Sequence, residues 1–592
     1  MSSKFFGAIR LTLAAAILFG HILFADSIRA QPLSPIILTG KVTSLAEGVM
    51  EGVAVIAQRE GSMVLTAVMT DAQGRYAFPR NRMEPGQYTV TIRAAGYELP
   101  AIEKVSIAAG AQKPVRLDLK LDMVTDASRL ASQLTNLEWL NSIPGTPQQR
   151  DMLMRTAVPC GFCHTLERVM RSTHTADEFL SVIQRMMTYD SDHASADRPQ
   201  VTMPPQPVEG LVYGVYGGFE AKRLAEYLAS INLSGGRKTW TYPLQTMPRP
   251  KGKATRAIVT VYPIPRQPSV IHDLDVDSKG NVWYGNSGWD YIGKLDPRSG
   301  TFSEWEAPNY LPATQFGLPR RLGVQDIQVD SNDDVWAAVG GTRMARFNVK
   351  TETWSTFDLP ISPAVSPFFI SPFRDGDHTV WTTGHTQNPD GTLSGQKAFR
   401  LHVTTGKVDG GYPLFDGLPP PQDPVRLGAE HYCYMMDRDA NDNFIGTDAF
   451  GSNIVRVDAN TGKATLYPTP TPWAFPRRGY TDDQNRFWFG EFYADNIGVF
   501  DADQKTIREF PVSTQYIAPY YARPDKQGNI WVSSNGSDRL IRLNPKTGEV
   551  LLYLMPVYYD ARKVVVDPST KMTTIWLPNK NTGQLIRVEA LD

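Results

Sequence analysis

The sequence predicts a multidomain, mainly β chain: a small Ig-like β-sandwich, an α-helical domain and a seven-bladed β-propeller. Residues 36–121 alternate apolar and polar between turn residues, the period-2 mark of short strands. From Asp126 to about Ser234, apolar residues recur at helical spacing instead. From residue 256 onward, a unit built on one aromatic strand recurs seven times, all but one pair of neighbours spaced roughly 40 to 55 residues apart, which is the period of propeller blades.

The bulk properties agree. A chain of 592 residues suits three or four domains, and 47 glycines with 44 prolines favour short strands joined by turns. The formal net charge of −1 gives no global pull towards nucleic acid or an acidic membrane. Residues 1–30 read as a secretory signal peptide. Lys4 and Arg10 make the positive start, Leu11 to Phe24 form a short apolar run, and Ala25 and Ala30 offer cleavage positions. No other stretch approaches a membrane span, so the mature chain is expected in the periplasm. Cys160 and Cys163 are the only close pair among three cysteines, so no disulfide framework is expected. Cys433, in "EHYCYMMD", reads as a buried, inert thiol.

Residues 31–122 form the predicted sandwich. Strand-like runs such as "GVAVIAQRE", "VLTAVMTD" and "VRLDLKL" are punctuated at Gly52, Gly74 and Pro85-Gly86. The phrase "TDAQGRYAFPRNRMEPGQYTVTIRAAGYE" resembles the carboxypeptidase-regulatory-like module, a carbohydrate-binding-like sandwich. The resemblance implies a structural or docking role and no chemistry.

Residues 123–235 form the predicted helical domain. Near its start stands "CGFCH": Cys160, Cys163 and His164. Two thiols three apart reach the two vinyl groups of one porphyrin, and the adjacent histidine gives the iron its fifth ligand. One covalent haem c is therefore expected, with iron as the metal. A redox pair would want a βαβ context and a zinc site a second Cys/His pair; the sequence has neither. "EAKRLAEYLASI" resembles the closing helix of small c-type cytochromes, and the whole segment resembles a monohaem class of these domains. The resemblance implies that Tyr227-Leu228 packs near the first helix and that Met186, after Arg185, is the sixth iron ligand. Met203 in "TMPPQP" fits the other cytochrome pattern, methionine before prolines, and His174 and His193 stay open. Met187 reads as core packing.

Residues 236–255 are rich in Gly, Pro and Lys/Arg and read as an extended linker. The propeller follows over 256–592. Each strong copy has a turn, an aromatic strand (Trp283, Trp336, Trp488, Trp531) and a second strand ending in Asp or Asn. Weaker copies surround Trp381, Phe444 and Trp576. The last copy lacks an outer strand, which "RAIVTVYPIP" can supply, closing the ring. The repeat resembles the streptogramin (virginiamycin B) lyase-like propellers. That resemblance implies a histidine base and two glutamates holding Mg²⁺ near the axis. Here Glu491 is the one glutamate kept, in "WFGE"; its equivalents are Asn286, Val339, Gly384, Thr447, Ser534 and Asn579. His272 and His431 are the histidine candidates. Aligning blades on their "VD" turns puts His272, Gln325, Arg477, Arg478, Tyr520, Tyr521 and Arg562 at the starts of innermost strands, as a pocket for an anionic or aromatic molecule or a docking face.

The expected function is haem-mediated electron transfer coupled to binding, or oxidation, of a small-molecule donor or redox partner protein at the propeller. One alternative is a lyase with an accessory haem domain, which alone would need Mg²⁺. Another is a non-catalytic carbohydrate- or protein-binding scaffold whose haem relays electrons.

Overall fold

The computed structural model describes residues 35–160, 164–189, 211–214, 217–308, 323–339, 342–362, 369–373, 378–423 and 428–591. The expected signal peptide, residues 1–30, lies outside them, as do His193 and Met203. The chain is mainly β, with two kinds of sheet assembly joined by short helices.

The alternating segment folds as two packed sheets. In one, Ile36–Ser44 pairs antiparallel with Arg75–Pro79 and parallel with Leu119–Met123. The other orders Leu65–Met69, Ala54–Arg59, Gly86–Arg93 and Glu103–Ile107 side by side. Leu38, Val55, Phe78, Val90 and Leu119 fill the space between them. The edge strand Leu65–Met69 does not stay free. It pairs with Ala257–Pro263, matching Ile258 to Val68 and Thr260 to Thr66. Two edges that would each expose unpaired amides thus cover one another, and sandwich and propeller share one eight-stranded sheet.

Among the described residues the repeat builds seven blades. Blades 1 and 2 begin at Ile271–Val276 and Ile327–Val329. Blade 3 is Thr379–Gln387 with its two following strands, its innermost position filled by a bridge from Ile370 to Thr382. Blades 4, 5 and 6 begin at Cys433–Arg438, Pro476–Thr481 and Pro519–Pro524. Blade 7 runs Val565–Val566, Thr574–Asn579, Gln584–Ala590 and then Ala257–Pro263. That last pairing, Ala257 to Ala590 through Pro263 to Gln584, closes the ring as expected.

The "VD…W" pattern has a local cause. Asp277 accepts from the Lys279 and Asn281 amides with one oxygen and from the Trp283 indole with the other, at 3.1 Å. Asp330, Asp482, Asp525 and Asp567 hold Trp336, Trp488, Trp531 and Trp576 in the same way. A carboxylate can satisfy a turn and a buried N–H together, and the six blade tryptophans are fully buried. Blade 4 departs from this: its partner at the tryptophan position is Ile445, since Asp437 pairs with Ile445 as Asp275 does with Trp283. Its repeat is therefore shifted one residue from the alignment on Phe444. The counterpart of Glu491 is Asp448, not Thr447.

Between sandwich and propeller the described residues hold six short helices: α1 (Ala127–Ala131), α2 (Asn136–Ser142), α3 (Pro147–Cys160), α4 (Glu167–Met170), α5 (Ala176–Met186) and α6 (Ala221–Ile231). Thr135 and Thr175 start α2 and α5 with capping boxes completed by Glu138 and Glu178. A two-stranded hairpin, Leu211–Gly214 with Gly217–Glu220, precedes α6 where only helical pattern was expected. The buried faces of α2, α5 and α6 join one apolar core with Trp240 of the linker and with propeller residues. The linker is a strap rather than a loose tether. Trp240 Nε1 donates to Met170 O at 3.0 Å, and the Gln245 and Met247 amides donate to Ser142 Oγ and Glu138 Oε1, both at 2.7 Å.

Candidate functional site

Two places gather the residues singled out in the sequence. The first is the end of α3. Its last residue is Cys160; the Cys160 side chain and all of Cys163 lie outside the described residues. His164 follows, half-buried. Its Nδ1 lies 2.9 Å from Thr165 O. A carbonyl only accepts, so Nδ1 carries the hydrogen and the Nε2 lone pair is left available. Burial, aided by Arg168, lowers the imidazole's pKa from its ordinary value against the opposing bond to Thr165. Met186 ends α5 and is half-buried. Its neighbour Met187 packs against the main apolar core. His174 is engaged by Phe179, ring edge to ring, at 5.4 Å. Tyr227 and Leu228 are buried in α6, and Tyr227 Oη donates to Pro144 O at 2.9 Å, just before α3. Arg155 in α3 reaches the propeller: its Nη1 is 2.6 Å from Asp423 Oδ2, and its guanidinium lies 5.2 Å from the Tyr493 ring centre.

The second place is the propeller axis. In blades 1, 4, 5 and 6 the inner strand slips register at the same point, before Leu274, Met436, Gly479 and Ala522. Such a bulge turns two consecutive side chains out of the ladder. The pairs are His272-Asp273, Tyr434-Met435, Arg477-Arg478 and Tyr520-Tyr521, and all but half-buried Tyr434 are at most 1% exposed. Arg478 grips Asp273 with two bonds, Nη1···Oδ1 and Nη2···Oδ2, both 2.6 Å. It also donates to Arg562 O at 2.9 Å and lies over the Phe369 ring at 4.3 Å. Arg562 is paired with Asp560 at 2.9 and 3.1 Å, and the Tyr434 and Tyr520 hydroxyls touch. Arg477 is ringed by Tyr434, Phe475, Phe492 and Tyr520, at 4.4 to 5.1 Å.

The electrostatics follow from burial. Arg478 holds Asp273 well below the ordinary carboxylate value against the opposing cost of burial. Asp326, 3.9 Å from both Arg478 and Lys563, is pushed up to about 8 by burial and by Asp273's charge. His272 donates from Nδ1 to Asp273 at 2.8 Å, while burial drives its pKa down to about 4. His272 Nε2, Gln325 Oε1 and Tyr521 Oη have no hydrogen-bond partner among the described residues. The five predicted pocket residues, Arg477, Arg478, Tyr520, Tyr521 and Arg562, thus come together, as a packed and largely ion-paired plug. Asp273, Asp326, Asp560 and Lys563 escaped the sequence reasoning. The available signal was adjacency, Asp273 to His272 and Lys563 to Arg562.

The lyase candidates do not converge. Glu491 turns towards Gly498, where an added Cβ would meet its Oε1 at 2.9 Å. Burial and Glu509 raise it to about 9, so it is a neutral acid. His431 pairs instead with Asp448 at 2.7 Å. Among the described residues no group of three or more His, Cys, Asp and Glu side chains could hold a metal ion. Cys433 is 1% exposed, and burial pushes its thiol well above the ordinary value, as an inert thiol requires.

Taken together, the fold defines a β-sandwich continuous with a seven-bladed propeller. Residues 37–121 match the carboxypeptidase regulatory-like domain. Similar solved structures include a streptogramin B lyase, 18% identical, covering 57% of this chain and 99% of that one with a TM-score of 0.46. Virginiamycin B lyase from Staphylococcus aureus is 17% identical, covering 56% and 99%, at 0.45. The extracellular domain of a one-component system from B. thetaiotaomicron is 14% identical, covering 54% and 40%, at 0.37. No match was found among curated proteins.

Proposed function

We propose that this chain is a periplasmic c-type cytochrome fused to a propeller, carrying electrons between one covalent haem and a donor or partner bound on the propeller side. Cys160 and Cys163 would hold the porphyrin, and His164 and Met186 would be ligands to its iron. The observation that carries this is the geometry of His164: its Nδ1 lies on the Thr165 carbonyl, which leaves Nε2 as a ligand atom. Met186 supports it as a half-buried thioether whose neighbour Met187, not Met186 itself, serves the core. When bound, haem supplies reversible one-electron chemistry, and a His/Met pair raises its potential. The chain's own part is placement. Arg155 ties α3, the helix that ends at Cys160, to Asp423 and Tyr493 of the propeller.

The test is an absorption spectrum of the protein exported from a host with c-type haem maturation, ferric and dithionite-reduced. Sharp reduced bands that survive acid-acetone extraction are expected. Met186→Leu should abolish the ferric methionine–iron band, and Met203→Leu should leave it. A colourless protein refutes the assignment, and an unchanged Met186→Leu spectrum removes Met186.

A further inference from the structure

Both ring nitrogens of His431 are engaged. Nδ1 lies 2.7 Å from Asp448 Oδ2, and Nε2 lies 3.1 Å from Pro419 O. A carbonyl oxygen only accepts. Asp448 also acts as an acceptor throughout: its Oδ2 takes the Asn453 side-chain amide at 2.8 Å, and its Oδ1 takes the Tyr432 and Gly451 amides at 3.2 and 3.0 Å. Each partner of the ring therefore needs a hydrogen from it, and only the imidazolium carries two.

A further contact to the ring comes from the same stretch as Pro419. Phe415 lies flat against His431, ring centres 5.2 Å apart and planes 18° from parallel, an arrangement in which the aromatic face attracts a cation. Residues 415–423 are exposed over most of their length. The loop ends at Asp423, the buried carboxylate that holds Arg155 of α3 at 2.6 Å. The groups facing the ring are few. The strand Phe444–Asp448 contributes Asp448, the turn after it the Gly451 backbone, and the loop Phe415 and Pro419. Asp448 is the charged one, and its bond raises the imidazole pKa above 6.5 against the opposing cost of burial.

We propose that His431 is a proton-operated latch: its imidazolium binds residues 415–423 to blade 4, and loss of the proton frees that loop and, through Asp423, loosens α3 from the propeller. A neutral ring keeps its one hydrogen on Nδ1, where the carboxylate makes the stronger bond. Nε2 then turns a lone pair on the Pro419 carbonyl, and Phe415 no longer stacks on a cation. Both contacts to the loop weaken together, while the bond to Asp448 survives. The loop is thus latched below the raised pKa and freed as pH climbs through it. The inference is independent of the haem assignment.

The full chain would be followed by hydrogen–deuterium exchange at about pH 5.5, 7 and 8.5, with each rate corrected for the intrinsic pH dependence of amide exchange. The reporter in the loop is the Leu418 amide, which donates to Phe415 O at 3.1 Å. Its protection should fall about tenfold from the lowest to the highest pH, as expected for losing one charge-assisted bond. Protection of α3 should fall in step. His431→Gln has no proton to lose at this position and should show no such pH response in either segment. Loop protection that stays constant in the parent overturns the proposal without recourse to any variant, and a pH response that persists in His431→Gln overturns it equally. A loop that responds while α3 does not would remove the coupling through Asp423.

Discussion

Removing one carboxylate at the axis, in Asp273→Ala, tests whether ion pairing holds the propeller's centre together. Asp273 and Arg478 are both fully buried and joined by two bonds of 2.6 Å. Truncating one member of such a pair strands the other, at about 3–5 kcal/mol. Here part of the loss is recoverable. Asp326 sits 3.9 Å from Arg478, and its raised pKa owes something to Asp273. With Asp273 gone, Asp326 ionises more readily and takes over some of the pairing, so the expected loss is at the lower end, about 3 kcal/mol. Arg478→Met leaves two neighbouring carboxylates without their guanidinium and should cost at least as much. The double variant buries no stranded partner and should lie within about 1–2 kcal/mol of the parent. Denaturant unfolding followed by tryptophan fluorescence reads this directly, because Trp283, Trp336, Trp381, Trp488, Trp531 and Trp576 are all buried in the blades. A single-variant loss below about 1 kcal/mol, or single losses that simply add in the double variant, would refute the reasoning.

Two pH dependences follow from other buried groups. Glu491 is raised from 4.5 to about 9 in the folded chain. The native state therefore holds a proton that the unfolded state has lost across that window, and Glu491 subtracts stability as pH rises. Glu491→Gln should stabilise the propeller by on the order of 2 kcal/mol or more at pH 8 and make little difference at pH 4.5; denaturation midpoints that keep a constant offset across this range would contradict it. His431 is raised above 6.5 by its bond to Asp448. Its contribution is complete below pH 6.5 and is lost as pH climbs through the folded value. His431→Gln should therefore cost about 2 kcal/mol at pH 5.5 and much less at pH 8.5; an equal cost at both would show that the charged bond is not formed.

How much was legible in the sequence depended on the range of the interaction. Asp277 and Trp283 are six residues apart and bonded, so the "VD…W" turn announces itself in the chain. The closing strand was legible because the last repeat visibly lacked one. Blade 4 was misaligned by one residue because Ile445 replaces the anchoring tryptophan and Phe444, beside it, took its place in the pattern. The joint between Leu65–Met69 and Ala257–Pro263 has no local mark, since edge pairing depends on which edges the rest of the fold leaves open. Asp273 and Arg478 are 205 residues apart, and only the shared bulge brings them together.

That bulge also decides where a ligand has room to act. The sequence showed basic and aromatic residues converging on the axis, and they do converge. It could not show that Arg478 and Arg562 arrive with Asp273 and Asp560 as partners, within bonding distance. A paired charge spends its interaction energy on joining blades, Arg477 keeps its charge within a ring of four aromatic side chains, and the buried axial atoms without a hydrogen-bond partner among the described residues include an imidazole nitrogen, an amide oxygen and a phenol. Such groups are satisfied by neutral hydrogen-bonding partners and exert no net charge on an anion.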